Sequence, residues 1–343
     1  MLMLDDIAEQ PQVLNRILED ELSNIISIGQ IARERGSCLV MAVGRGSSNN
    51  VAMASKYIFE TIASIPSTVI SPTIFMAYQA RLNLSNAVVI GISRSGETYE
   101  TREVLRMARE LGAMTVAITE EPESPLGLTA DYCINTRAGV EKAISSTKTY
   151  TAQMAILYLL AAVISEDRET ISALRLVPEL MNSALTLSDS MCELVKPYRY
   201  MTRCVVLGNG FNYATALETA LKLEEICQVS ALSHSSAEFA HAAISLVGEG
   251  YPVMIFVPGG PTYNNMLRLT RELQRELGAE TIVISDRKEV LEIADTALVL
   301  PEPVREVFSP LVFMVVGQLF AYNLALQKGL NPDRPRGRRK IVR

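Results

Sequence analysis

A segment rich in hydroxyl side chains, Ser-Arg-Ser-Gly-Glu-Thr at positions 93–98, is the first candidate for chemistry. It follows an apolar run over Ala87–Ile92 and precedes a helical pattern over 101–111. Backbone N–H groups and the macrodipole at a helix start favour an anion, and the hydroxyls add further donors. Arg94 either adds a positive charge to this anion site or faces solvent. The spacing therefore predicts a phosphate-binding loop, although Ser and Thr at such places commonly do no more than cap the helix.

A second hydroxyl pair, Ser47 and Ser48, follows the glycine turn at 44–46. For this pair alone, helix capping is the favoured interpretation. The turn also begins a Gly-x-Gly pattern, but the third glycine of a dinucleotide-binding fingerprint would fall at Asn49. The sequence contains no Walker A pattern either. We therefore expect no cofactor of this kind.

Titratable residues gather in the second half of the chain. Lys222 and Glu225 are three residues apart and share one helical face, for which a surface ion pair is the ordinary interpretation. His241 is one of only two histidines, and a lone histidine is more often structural than catalytic. The other histidine is His234, and two histidines seven residues apart are too few ligands to bind a metal ion. No metal site is therefore predicted.

The C-terminal tail is strongly basic, with four arginines and Lys340 between positions 334 and 340. One interpretation is a solvated tail. The other is a lid that closes over an anionic substrate and brings Lys340 to a carbonyl. Composition does not choose between the two.

The elements that must position these residues occur twice. Apolar runs into glycine turns at 38–46 and 204–210, and the pentapeptide Arg-Glu-Leu-Gly-Ala at 109–113 and 275–279, recur at an offset of about 164 residues. The counterpart of segment 93–98 is Pro-Gly-Gly-Pro-Thr at 258–262, which has lost both serines. Because a cap required by the fold would survive duplication, the first half is the one specialised for a ligand.

Within each repeat, short apolar runs bounded by glycine alternate with helical stretches. This alternation predicts an α/β fold in which a mainly parallel sheet is covered by helices on both faces. The predicted organisation comprises a helical segment at 1–30, an α/β domain at 31–167, a helical connector at 168–198, a second α/β domain at 199–330 and the basic tail at 331–343.

Composition narrows the class of protein. A net charge of −6 argues against a general nucleic-acid binder. Five scattered cysteines indicate reduced thiols and a cytoplasmic location rather than a disulfide framework. The apolar runs at 154–164 and 311–326 are short or interrupted by polar residues, so we expect buried helices and no membrane span.

Taken together, these residues resemble the sugar isomerase (SIS) domain family, specifically the tandem-SIS isomerase portion of glucosamine-6-phosphate synthase and its free-standing deaminase and phosphosugar isomerase relatives. The resemblance covers essentially the whole chain and implies two flavodoxin-like, three-layer αβα domains. The segments that carry it are Glu9-Gln10-Pro11, 93–98, Ser146-Thr147-Lys148, 216–226 and Asp333-Arg334-Pro335-Arg336 with Lys340.

The resemblance also implies a role for each matched residue. Glu225 would be the general base that moves a proton between C1 and C2 of the sugar, supported by Lys222. His241, contributed by a neighbouring subunit, would open the sugar ring, and Lys340 would condense with the ketose carbonyl. The implied phosphate contacts are Ser47, Ser48, Ser93, Arg94, Ser95 and Thr98.

Two departures from the family pattern bear on function. Where the family commonly has His-Gly-Pro, this chain has His241-Ala242-Ala243, which changes the loop after the histidine. Met1 is not followed by Cys, and no glutaminase domain precedes the isomerase part, so a self-sufficient glutamine-dependent synthase is not expected.

The leading hypothesis is an amino-sugar phosphate isomerase that converts glucosamine 6-phosphate to fructose 6-phosphate and ammonia. The alternatives are another phosphosugar isomerase, a fructosamine-phosphate deglycase, or a non-catalytic phosphosugar sensor. The expected partners are a sugar-phosphate substrate and a second copy of the chain in a homodimer, with no nucleic acid and no membrane.

Overall fold

The computed structural model describes residues 2–337. Contacts divide them into two compact units. The first unit comprises residues 10–141 and 148–178, and the second comprises 2–9, 142–147 and 179–337. The short segment 142–147 thus belongs to the second unit although residues of the first unit flank it on both sides. The boundaries predicted from sequence stay a prediction.

Each unit is built on a five-stranded sheet in which all neighbouring strands are parallel. The strands of the first unit are β1 Leu39–Val43, β2 Ser67–Val69, β3 Ala87–Ile92, β4 Met114–Thr119 and β5 Tyr132–Asn135. Those of the second unit are β6 Arg203–Leu207, β7 Ser230–His234, β8 Pro252–Val257, β9 Glu280–Ser285 and β10 Thr296–Val299.

The two sheets have the same strand order. It is β2-β1-β3-β4-β5 in the first unit and β7-β6-β8-β9-β10 in the second. This order is that of flavodoxin-like folds. The predicted duplication and the α/β fold class are confirmed.

Helices flank both sheets. The α-helices are α1 Leu2–Ala8, α2 Gln10–Arg16, α3 Leu22–Glu34, α4 Ser47–Ile58, α5 Pro72–Met76, α6 Tyr99–Glu110, α7 Pro125–Thr129, α8 Lys148–Ile164, α9 Arg168–Leu174, α10 Val177–Leu185, α11 Ser188–Leu194, α12 Tyr213–Cys227, α13 Ser236–His241, α14 Tyr263–Arg275, α15 Lys288–Leu291 and α16 Ser309–Gln327. Short π-helical stretches occur at Ile17–Glu21 and Phe59–Ala63, and 3-10 turns at Lys196–Tyr200, Gly210–Asn212, Ala243–Leu246 and Glu306–Phe308.

The two most apolar helices are core elements. Every residue of α8 is buried, and it packs on α3, α4 and α2 in the first unit. In the second unit α16 packs on α12. The stretch Glu306–Gln327 is long and apolar enough to cross a membrane, but 94% of its most apolar window is buried inside the protein. A helix that is apolar on all sides belongs in a core, so the prediction of two buried helices is confirmed.

Candidate functional site

The loop over 93–98, the first-unit loop, lies at the carboxyl end of β3. Strand β3 pairs with β1, and the chain passes from β1 to β2 on one side before it returns to β3 on the other. The gap between β1 and β3 is therefore the point at which the strand order reverses. In open parallel sheets, ligands bind beyond the carboxyl ends of the strands at this point. Both predicted hydroxyl segments, after β1 and after β3, are at that edge of the sheet.

The backbone of the first-unit loop is fixed from outside. The carbonyl of Gly96 accepts from Leu126 N–H at 3.0 Å, and the carbonyl of Arg94 accepts from Glu120 N–H at 3.1 Å. Gly96 has a φ of +65°, and a Cβ there would lie 1.8 Å from the Ser124 Oγ. Any other residue at position 96 would be strained and would clash. The loop after β4 and the first turn of α7 thus hold the backbone of the first-unit loop.

The hydroxyls of this loop do not simply cap α6. Thr98 is the N-cap residue, but its side chain makes no capping hydrogen bond. Its Oγ1 lies 3.0 Å from the Oγ of Ser93, which is 4% exposed. The Ser95 Oγ accepts the Glu97 N–H at 3.3 Å. These contacts leave phosphate binding by this loop a prediction and remove the capping alternative for Thr98.

Arg94 does not simply face solvent. Its side chain is 30% exposed, and its Nη1 lies 3.9 Å from the Oε2 of Glu141, whose side chain is 1% exposed. The guanidinium is therefore partly buried beside a buried carboxylate, which takes up part of its charge.

Ser47 and Ser48 begin α4, for which Gly46 is the N-cap residue. Ser48 is buried, and its Oγ donates to the Gln153 Oε1 in α8 at 3.2 Å. Gly44 makes this close approach of turn and helix possible, because a Cβ there would lie 2.5 Å from the Ser48 carbonyl oxygen. The favoured capping interpretation is wrong for Ser48, whose hydroxyl points to α8. A phosphate role for either serine stays a prediction.

The corresponding loop over 258–262, the second-unit loop, follows β8 and leads into α14. Its Thr262 donates from N–H to the Glu306 Oε2 at 3.0 Å and from Oγ1 to the Glu306 Oε1 at 2.8 Å. Glu306 is 7% exposed. A Cβ at Gly260 would lie 2.3 Å from the Glu306 Oε2, so this glycine leaves room for the carboxylate. The start of α14 therefore binds an anion that the chain itself supplies.

Lys222 and Glu225 lie in α12, in the interior of the second unit. The side chain of Lys222 is 0% exposed and that of Glu225 is 4% exposed. The Lys222 Nζ is 2.9 Å from the Glu225 Oε2 and 3.1 Å from the Glu218 Oε1. The interpretation as a surface ion pair is wrong, because both side chains are buried.

Ser145 completes this cluster. The Lys222 Nζ donates to the Ser145 Oγ at 2.6 Å, and the same hydroxyl donates to the Glu225 Oε2. Ser145 is 0% exposed. Sequence reasoning missed both Ser145 and Glu218. Glu218 could have been found from its spacing of four residues before Lys222, but no sequence signal joins Ser145 to a lysine 77 residues away.

The two carboxylates of the cluster favour the protonated, charged form of the Lys222 amine. Burial lowers the pKa of Lys222, but the two neighbouring carboxylates outweigh this effect, and the pKa is raised from its usual value. Lys222 is therefore a cation that holds Glu218 and Glu225 in place. The adjacent Glu224 is an exposed residue whose pKa is raised by partial burial and by the charge of Glu225.

Among residues 2–337, His241 is not brought to this cluster. His241 is the exposed last residue of α13, and the 3-10 turn Ala243–Leu246 follows it. Within residues 2–337, the hydrogen bonds around Lys222 and Glu225 do not include the His241 ring. Lys340 lies outside the described residues. The roles of both residues stay predictions.

No group of three or more His, Cys, Asp or Glu side chains that could hold a metal ion occurs in the part of the chain that the structure describes. The cysteines there are all free thiols.

Comparison with known proteins matches both repeats to one family model. A family model described as the SIS domain matches residues 39–163 and 200–328. Glutamine–fructose-6-phosphate aminotransferases [isomerizing] from Methanothermobacter thermautotrophicus and Aquifex aeolicus are 35% and 32% identical to 99% of this chain. The chain spans 57% of the length of both relatives.

A solved structure gives the same result. The C-terminal domain of glucosamine-fructose-6-phosphate aminotransferase from Francisella tularensis is 28% identical, with a TM-score of 0.86 over 98% of each chain. The sequence matches, the two sheets of equal strand order and the structural similarity agree. The chain belongs to the SIS domain family, in a tandem arrangement of two copies.

Proposed function

We propose that the chain is a phosphosugar aldose–ketose isomerase acting on amino-sugar phosphates, and that it converts glucosamine 6-phosphate and water to fructose 6-phosphate and ammonia. The observation that carries the proposal is the Glu225 carboxylate, buried and held by Lys222 and Ser145. A phosphosugar sensor has no use for such a group, because binding a phosphate needs no buried carboxylate.

The isomerisation and the release of ammonia need one base and one water molecule. Glu225 removes the proton from C2 of the opened sugar and returns it to C1. The C1 oxygen gains a proton and the C2 nitrogen loses one, so that C1 becomes a hydroxymethyl group and the C2 amine becomes an imine. Water then adds to the imine carbon C2. The C2–N bond breaks, ammonia departs, and C2 becomes the carbonyl carbon of the ketone. Each atom of the substrate and of the water is accounted for in the two products.

The proposed phosphate contacts are the hydroxyls and N–H groups at the carboxyl ends of β1 and β3. In the first-unit loop they come from Ser93, Ser95 and Thr98, with Arg94 beside them. Ser47 and Ser48 would add donors from the start of α4. The support is the position of both segments at the reversal of strand order and the fixed backbone around Gly96.

The names of the relatives support this proposed substrate class. They are aminotransferases named for glutamine and fructose 6-phosphate, and this chain matches only part of their length. We propose the isomerase chemistry for this chain because the family model that matches it is the SIS domain, in two copies. Lys340 would condense with the ketose carbonyl, and His241 would open the sugar ring.

The test compares wild type with Glu225→Gln in ammonia release from glucosamine 6-phosphate, with fructosamine 6-phosphate as the second substrate. Loss of a positioned general base should lower kcat by about 10²- to 10⁴-fold. Glu224→Gln is the matched control, since it removes the exposed carboxylate next along the same helix. Wild-type binding without turnover of any phosphosugar would favour the sensor, and a fully active Glu225→Gln variant would refute the assignment of the base.

A homodimer in which His241 acts on the partner's substrate is a further part of the proposal. The exposure of His241 at the end of α13 supports it. Mixing Glu225→Gln with His241→Ala should restore about a quarter of wild-type activity, because half the dimers would be mixed and each would have one intact site. Activity that stays at the level of the separate variants would contradict the shared site.

A further inference from the structure

The cluster around Lys222 contains more hydrogen bonding than an ion pair requires. Lysine carries three N–H donors. The acceptors near the Lys222 Nζ include Glu218 Oε1 at 3.1 Å, Glu225 Oε2 at 2.9 Å and Ser145 Oγ at 2.6 Å. These acceptors can satisfy all three protons of the ammonium, and one of them is a neutral hydroxyl.

The Ser145 hydroxyl both accepts and donates a hydrogen bond. The Ser145 Oγ accepts from Lys222 and donates its own proton to the Glu225 Oε2. Lys222 donates to the same oxygen. Two donors that converge on one carboxylate oxygen fix the rotation of the carboxyl group about its last torsion, which is otherwise broad for glutamate. An ion pair with Lys222 alone would constrain that rotation less.

The segment that carries Ser145 is itself anchored. The Ala143 N–H donates to the Asp6 Oδ2 at 2.8 Å, and the Thr147 carbonyl accepts from the Gln318 side chain at 3.4 Å. All of these residues belong to the second unit. Segment 142–147 is thus tied to α1 and α16 on either side of Ser145 and presents the hydroxyl from a defined position.

We propose that Ser145 is a positioning residue for the isomerisation, which holds the Glu225 carboxylate in the orientation needed for proton transfer at carbon. The inference rests on the proposed function, because it gives Glu225 the role of base. Ser145 does not touch the sugar in this scheme and acts only through Glu225. The positive charge of Lys222 offsets the negative charges of Glu218 and Glu225. The hydrogen bond from Ser145 sets the orientation of the Glu225 carboxylate.

The kinetic test compares Ser145→Ala and Ser145→Thr with wild type on glucosamine 6-phosphate. Loss of a hydrogen bond to a carboxylate should lower kcat by about 10- to 100-fold. KM should stay within about twofold of wild type, since only a transition-state interaction is removed. Threonine keeps a hydroxyl at the same place and should restore at least half of kcat. Ser285→Ala is the matched control, because it removes another fully buried hydroxyl from the second unit.

A structural measurement decides the matter independently of turnover. In crystal structures, the Glu225 carboxylate of Ser145→Ala should be rotated or adopt two orientations, whereas that of Ser145→Thr should match wild type. An unchanged carboxylate in Ser145→Ala, or an equal fall in kcat for the alanine and threonine variants, would overturn the inference. A wild type that turns over no phosphosugar would refute the proposed function, and the carboxylate orientation would still decide the positioning role of Ser145.

Discussion

The loops that follow β3 and β8 occupy the same place in two sheets of the same strand order, but the helices they lead into begin in different surroundings. At the start of α14, Thr262 gives both its N–H and its hydroxyl to the buried carboxylate of Glu306. At the start of α6, the corresponding Thr98 places its hydroxyl against Ser93, in a loop with two more hydroxyl-bearing or cationic side chains, Ser95 and Arg94.

The difference between the two loops shows what duplication does to an anion-binding position. The fold directs N–H groups toward the same point in each copy, and an anion there is favourable. The second unit meets this demand with its own carboxylate, so its loop needs no serines. The first unit keeps serines and a cation near the equivalent point. A ligand phosphate is thus expected at the first-unit loop and not at the second-unit loop.

The largest expected effect comes from removing the Glu306 carboxylate, which is the anion that the second unit supplies to its own loop. Glu306→Ala should lower the free energy of unfolding by about 2–4 kcal/mol, because two charge-assisted hydrogen bonds are lost and the half-buried Thr262 N–H loses its acceptor. Urea titration followed by circular dichroism measures the change. Glu302→Ala is the control, since it removes an exposed carboxylate from the same connection.

The same variant offers a sharper measurement. Inorganic phosphate should raise the Tm of Glu306→Ala by more than that of wild type, because the ion can take the place of the missing carboxylate. Equal phosphate effects on the two proteins would mean that the start of α14 does not act as an anion site.

The second prediction removes hydroxyls from the other loop. Ser95→Ala combined with Thr98→Ala should weaken binding of glucosamine 6-phosphate by about 100-fold, because two hydrogen bonds to a charged phosphate are lost. Binding of unphosphorylated glucosamine should not change. Titration calorimetry gives both affinities.

The matched control for that double variant is Ser71→Ala with Thr73→Ala, which removes two exposed hydroxyls at the start of α5 in the same unit. Undiminished phosphosugar affinity after loss of Ser95 and Thr98 hydroxyls would sink the phosphate assignment, and with it the contrast between the two units.

Much of this comparison could be predicted from sequence, because its elements are local. The run Ala87–Ile92 is apolar at every position and buried at every position, so its strand, the glycine loop after it and the helix beyond follow from a short window. The sequence repeat then identified the second-unit loop as the counterpart of the first-unit loop. Loss of the two serines was visible in the letters alone.

What could not be predicted depends on distant parts of the chain. Glu306 is 44 residues from Thr262, and Ser145 is 77 residues from Lys222. Spacing within α12 suggested a surface pair for Lys222 and Glu225, because nothing local indicates that Ser145 lies against that face. Contact with a segment distant in sequence, 142–147, makes this pair part of the interior cluster that carries the proposed base.

A third prediction concerns the second-unit threonine itself. Thr262→Val keeps the N–H that donates to Glu306 and removes only the hydroxyl, so the free energy of unfolding should fall by about 1 kcal/mol. Thermal unfolding compares it with Glu306→Ala. A loss as large as that of Glu306→Ala would mean that the hydroxyl, not the backbone N–H and the helix start, dominates the interaction.

The smallest expected effect is at Arg94, which has a proline, Pro258, at the corresponding position of the second-unit loop. Because Glu141 lies 3.9 Å from its guanidinium, only part of the charge of Arg94 acts on a ligand. Arg94→Ala should weaken phosphosugar binding by about 3- to 10-fold at low salt and by less at high salt, where the remaining charge is screened. Calorimetry at two ionic strengths measures this, with Arg102→Ala on α6 as the control. If Arg94→Ala matched the double hydroxyl variant, the cation rather than the hydroxyls would distinguish the two loops, and the lost serines of the second unit would be incidental.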